Sequence, residues 1–124
     1  MATMSTGLTD MRQKIDAAEA ILRSKDSKPD QVSTSRGIFV QILGKMNNSL
    51  SSYAATKISK MLLNKDMLIF DRAKEIFYNI REGTEIGRAN ASLILWVLPI
   101  EVKDMLPDLN VPIITESDLL RDSE

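Results

Sequence analysis

The side chains of this sequence that could do chemistry are lysines, arginines and carboxylates, since it contains no histidine and no cysteine. Without histidine it lacks the commonest general base at neutral pH and the commonest metal ligand. Without cysteine it has no thiolate nucleophile and no disulfide framework. Ser-His and Cys-His catalysis are thereby excluded, and a typical zinc site nearly so. The carboxylate pairs that remain are Glu82/Glu85, Glu101/Asp104 and Asp66/Asp71. Such pairs perform acid–base chemistry where burial separates their pKa values. Here they fall at expected helix ends and outer faces, where acidic groups near an N-terminus meet the helix dipole. No stretch has the spacing of a calcium loop. The segment Gly37 to Lys45 ends in Gly-Lys as a phosphate-binding loop does. Six residues separate its glycines, however, and Met46 stands where Ser or Thr is required. The expectation is a protein that is not an enzyme and holds neither cofactor nor metal.

The cations offer a second kind of chemistry. Lys57, Lys60, Lys65, Lys74, Arg81 and Arg88 lie within one stretch, and Lys74 and Arg81 stand seven apart on one helical face. A basic face binds phosphates by releasing counterions. Asp66, Asp71, Glu75, Glu82 and Glu85 are interspersed among these residues, as on an ordinary solvated surface. Tyr53 and Tyr78 are the aromatic groups placed to stack on bases. Nucleic-acid binding is therefore the second expectation, behind a protein partner or self-association.

The overall balance is uneven along the chain. Residues 1–89 carry fourteen Lys and Arg against ten Asp and Glu, a balance of +4. Residues 90–124 carry two against seven, a balance of −5, so a mildly basic body bears an acidic C-terminal end. The longest apolar run, Ala91 to Ile100, is about half the length a bilayer requires. The N-terminus lacks the basic region and apolar run of a secretory signal. The cytoplasm or nucleus is the expected compartment, with no membrane partner, and the sequons at Asn47 and Asn90 read as chance matches.

The elements that must position these groups are helices. Leu8, Met11, Ile15, Ala18 and Leu22 follow a 3-4-3-4 spacing, with Thr9 or Asp10 placed to cap the first turn. This stripe either packs at home or, through a linker at residues 25–30 that would let helix 8–24 detach, reaches a partner or a second subunit. A second helix starts near Asp30 or Ser33 and carries Ile38, Phe39, Ile42, Leu43 and Met46. A third carries Leu50, Ala54, Ile58, Met61 and Leu62, and a fourth carries Phe70, Ala73, Phe77 and Ile80. Gly83 stands where a left-handed C-terminal cap belongs, and Thr84 caps a fifth helix. Residues Leu93 to Leu98 are apolar all round, which predicts a central, buried helix. Pro99 opens a short sixth helix that Pro107 ends.

The predicted fold is all-α: a compact bundle or irregular array of five to six short helices with an extended acidic tail. Residues 1–7 are expected to form a flexible N-terminus, 8–106 a single helical domain, and 107–124 the tail. Val111, Ile113, Ile114, Leu119 and Leu120 are the tail's candidate anchors on a partner. With seven Met and 5% aromatic residues, the core must be aliphatic and adaptable. The functional expectation is a helical protein-interaction or assembly module, self-associating and compatible with viral or phage origin. The alternative is a nucleoprotein accessory factor.

Overall fold

The computed structural model describes residues 3–104, with side chains from residue 10 onward. Six α-helices follow one another: α1 (Thr3–Arg23), α2 (Pro29–Lys45), α3 (Ser49–Leu62), α4 (Met67–Arg81), α5 (Glu85–Val97) and α6 (Ile100–Asp104). No strand occurs among the described residues, as the helical periodicity predicts. The anchor positions of the tail, Val111, Ile113, Ile114, Leu119 and Leu120, lie outside the described residues.

The boundaries follow from local chemistry. Asn48 Oδ1 accepts from the N–H groups of Leu50 and Ser51 at 3.0 and 3.1 Å, while Ser51 Oγ accepts from the Asn48 N–H at 2.9 Å. This reciprocal pair starts α3 as a capping box does. Asp66 accepts from Leu68 N–H at 2.9 Å to start α4, and Thr84 accepts from Gly87 N–H at 2.9 Å to start α5. Pro29 occupies the first turn of α2, where its missing N–H costs nothing.

Two expectations are corrected here. Helix α1 begins at Thr3, so Thr9 and Asp10 lie within the helix and do not cap its first turn. Gly83 is not left-handed: no described glycine has a positive φ, and α4 closes instead through Glu82 and a Gly83 N–H bond to the Ile80 carbonyl at 3.3 Å. The Gly37–Lys45 segment is part of α2, as its apolar spacing predicts.

A single apolar core, mostly aliphatic, joins the helices. Ile15, Leu22, Phe39, Leu43, Ile58, Met61, Leu62, Ile76, Phe77, Ile80 and Ile94 are its large members, all effectively without exposure. Each contributes about 1.5–3 kcal/mol relative to an exposed side chain. Helix α1 lies mainly on α2, with further contacts to α3 and α4, while α5 packs against α2, α3 and α4. At the junction of α4 and α5 the backbones come so close that a Cβ on Gly87 would stand 2.4 Å from the Ile80 carbonyl oxygen. Only glycine fits there.

The helix ends are closed by side chains from distant helices. Arg72 on α4 donates to the carbonyls of Leu22 and Ser24 at 3.0 and 2.8 Å, satisfying the end of α1. Asn90 on α5 is buried, and its amide donates to the Leu43 and Met46 carbonyls at 2.7 and 3.0 Å. Thr84 donates to the Gly44 carbonyl. The last turn of α2 is thus held by α5, which satisfies carbonyls no intrahelical donor can reach.

Candidate functional site

Helix α3 separates two surfaces. On its first side it faces α1. Tyr53 Oη donates to Asp16 at 2.5 Å, and Lys57 Nζ stands 3.2 Å from Glu19 and 3.5 Å from Asp16. Arg12 and Lys57 both stand over the Tyr53 ring, at 5.2 and 4.9 Å from its centroid. Arg23 completes the set with a 2.9 Å bond to Glu19. The hydrogen bond to the Asp16 carboxylate, with burial, raises the Tyr53 pKa above its ordinary value. Burial alone would lower that of Lys57, but the Glu19 carboxylate outweighs it and the net shift is upward.

On its second side α3 faces α5 across a shallow groove of about 180 Å³, walled by Ser52, Ala55, Thr56 and Ser59 on one bank and Leu93, Ile94 and Val97 on the other, with Asn90 also lining it. Beside it runs the exposed apolar stripe of α5. Ile86, Ala89, Leu93, Trp96 and Val97 follow the spacing of one helical face, and Ile100 continues beyond Pro99. Leu93 is 53% exposed, Trp96 81%, Val97 68% and Ile100 69%. This corrects the expectation that Leu93–Leu98 is buried all round. Ile94 and Leu98 are in the core, but Leu93, Trp96 and Val97 face water. No residue of the stripe, nor Ser52, Ala55, Thr56 or Ser59, is ionisable.

The residues singled out from sequence divide among these environments. Ile15, Ala18 and Leu22 are buried in the chain's own core and Met11 packs against it, so the α1 stripe is in use within the chain. Leu8 belongs to α1, and its side chain lies outside the described set. Of the six candidate phosphate contacts, Lys57 is taken up by Asp16 and Glu19. Lys74 stands 3.9 Å from Asp71, and Arg81 lies 3.5 Å from Glu82 and over the Tyr78 ring. Lys60, Lys65 and Arg88 are exposed without an ion pair among the described residues. The six are spread over α3, α4, α5 and the α3–α4 turn.

The carboxylate pairs are all exposed, Asp66 is occupied as a cap, and no group of acidic residues among those described could hold a metal ion. Among the described residues no helix is long and apolar enough to cross a membrane. Sequence reasoning missed the exposed stripe and Asn90. For the stripe, a signal was present in the 86-89-93-97 spacing, which continues one face of α5 that the core has no use for. No known family, curated protein or solved structure matches this chain.

Proposed function

We propose that the protein is a non-catalytic helical interaction module whose docking surface is the α5 stripe together with the α3/α5 groove. The observation that carries this reading is Trp96, a large aromatic 81% exposed on the apolar stripe of α5. Tryptophan is the residue most enriched among those that dominate protein interfaces. Contiguous exposed apolar surface on a small domain marks an interaction site, because water leaves it unsatisfied. The absence of histidine and cysteine fits a role in binding rather than reaction.

The test is site-specific photo-crosslinking in cells that express the protein. A photoreactive residue at position 93 should yield polypeptide adducts, while the same residue at exposed Gln13 on α1 should yield none. Equal labelling at both positions, or none at 93, would remove the proposal.

Phosphate binding is the second reading, and it rests on exposed Lys60, Lys65 and Arg88. It requires RNA or DNA affinity that falls steeply with salt and that weakens on Lys60→Glu whatever the base sequence. Salt-independent retention would remove it.

A further inference from the structure

Most of the exposed apolar side chains gather at one end of the bundle. Helices α4 and α5 form a hairpin whose backbones nearly touch at Ile80 and Gly87, so the start of α4 lies beside the end of α5. The short turn at residues 63–66 joins α3 to α4 and belongs to the same end. Leu63, Met67, Trp96, Val97 and Ile100 are all exposed there. Lys60 and Lys65 flank that turn, exposed and without an ion pair among the described residues. This end is therefore apolar with unpaired cations at its border.

The chain also leaves the bundle here. Past Asp104 it continues through Leu106, Leu109, Val111, Ile113 and Ile114, and residues 105–124 carry five carboxylates against the one cation of Arg121. An apolar segment bearing acidic residues complements an apolar face bordered by unpaired lysines. Building on the reading of this face as a docking surface, we infer that residues 105–118 of the same chain are its resident occupant. Their apolar side chains cover Trp96, Val97 and Ile100, and their carboxylates approach Lys60 and Lys65, so an outside partner gains the face by displacing them. The tether is what selects this segment over any other apolar occupant. Joined directly to α6, it meets the face at an effective concentration in roughly the millimolar range. It therefore needs far less contact area than the roughly 800 Å² per partner of a standard interface between separate molecules. Extended, residues 105–115 reach about 35 Å, more than the roughly 20 Å length of α5, so the segment is long enough to fold back along it.

Trp96 is the single tryptophan and reports on this face directly. In the full chain, Ile113→Asp together with Ile114→Asp should move Trp96 emission to longer wavelength and roughly double its quenching by acrylamide, with helical circular dichroism unchanged. Lys60→Glu together with Lys65→Glu should move both readings the same way by a smaller amount. Each effect should be independent of protein concentration, as a contact within one chain requires. Unchanged quenching in either variant, or a Trp96 whose shielding is lost on dilution, would overturn the inference. The photoreactive residue at position 93 separates this failure from that of the docking reading. More adducts to other polypeptides in the Ile113→Asp, Ile114→Asp chain than in the unsubstituted one support both. Adducts with no change in Trp96 quenching overturn the resident segment and keep the docking surface. Changed quenching with no adduct in either chain overturns the outside partner and keeps the contact within the chain.

Discussion

The two sides of α3 differ in what their own chain does for them. Toward α1, Tyr53 and Lys57 find Asp16 and Glu19, and Arg12 and Arg23 close the set. Toward α5, Ser52, Ala55, Thr56 and Ser59 border an apolar stripe that nothing in the described fold covers. The polar side would be content in water and is nevertheless satisfied internally. The apolar side loses free energy in water and is left open. Charge in the sequence is thus a poor guide to which side chains stay unpaired, because half of the suspected phosphate contacts already have carboxylate neighbours.

The sharpest way to break this contrast is to attack the floor of the open side. Asn90→Ala leaves the Leu43 and Met46 carbonyls without their donor and opens a small void, costing about 2–3 kcal/mol. A urea midpoint lowered at constant slope would show it, and an unchanged midpoint would mean that water replaces the amide. On the opposite side, Lys57→Met should cost about 1 kcal/mol or less, since its ion pairs are partly solvated. That difference should shrink in high salt if it is electrostatic. Alkaline pH probes the same cluster. The pKa values of Tyr53 and Lys57 are both raised on folding, so their contribution is full below the unfolded values and is lost as pH rises through the folded ones. Thermal stability should accordingly fall above a pH of about 10, and Tyr53→Phe should flatten part of that fall. Trp96→Ala should change stability least, by under about 0.5 kcal/mol at concentrations where the protein is monomeric. A large loss there would show that the indole belongs to the domain's own packing.

The helices were readable because their apolar spacing and caps agree. Asn48, Asp66 and Thr84 each stand one residue before a periodic segment and each makes a bond that starts it. The start of α1 is hard to read because Thr3, Ser5, Thr6 and Gly7 carry no apolar run, and only Met4, four residues before Leu8, continues the stripe. Gly83 misled because a glycine after a helix usually signals a left-handed turn, whereas the glycine this fold requires is Gly87, where α4 and α5 nearly touch. That requirement arises from a neighbour far from any local pattern. The stripe was half legible. Hydropathy marks Leu93 to Leu98 as apolar but cannot say how many helices surround them. Burying α5 on every side needs neighbours all round it, and α1 lies against α2, α3 and α4 instead. The fate of Lys57 was likewise hidden, because Asp16 and Glu19 are about forty residues away and only the fold brings them near.

The long-range caps have a consequence for the order in which the molecule is made. Arg72 closes α1 and Asn90 closes α2, so each of these helices depends on a residue synthesised roughly fifty positions later. Until those residues are made, the Leu22, Ser24, Leu43 and Met46 carbonyls lack these donors. The nascent chain has no finished first half waiting for its second. The native end of α1 can close only after α4 has been made, and that of α2 only after α5.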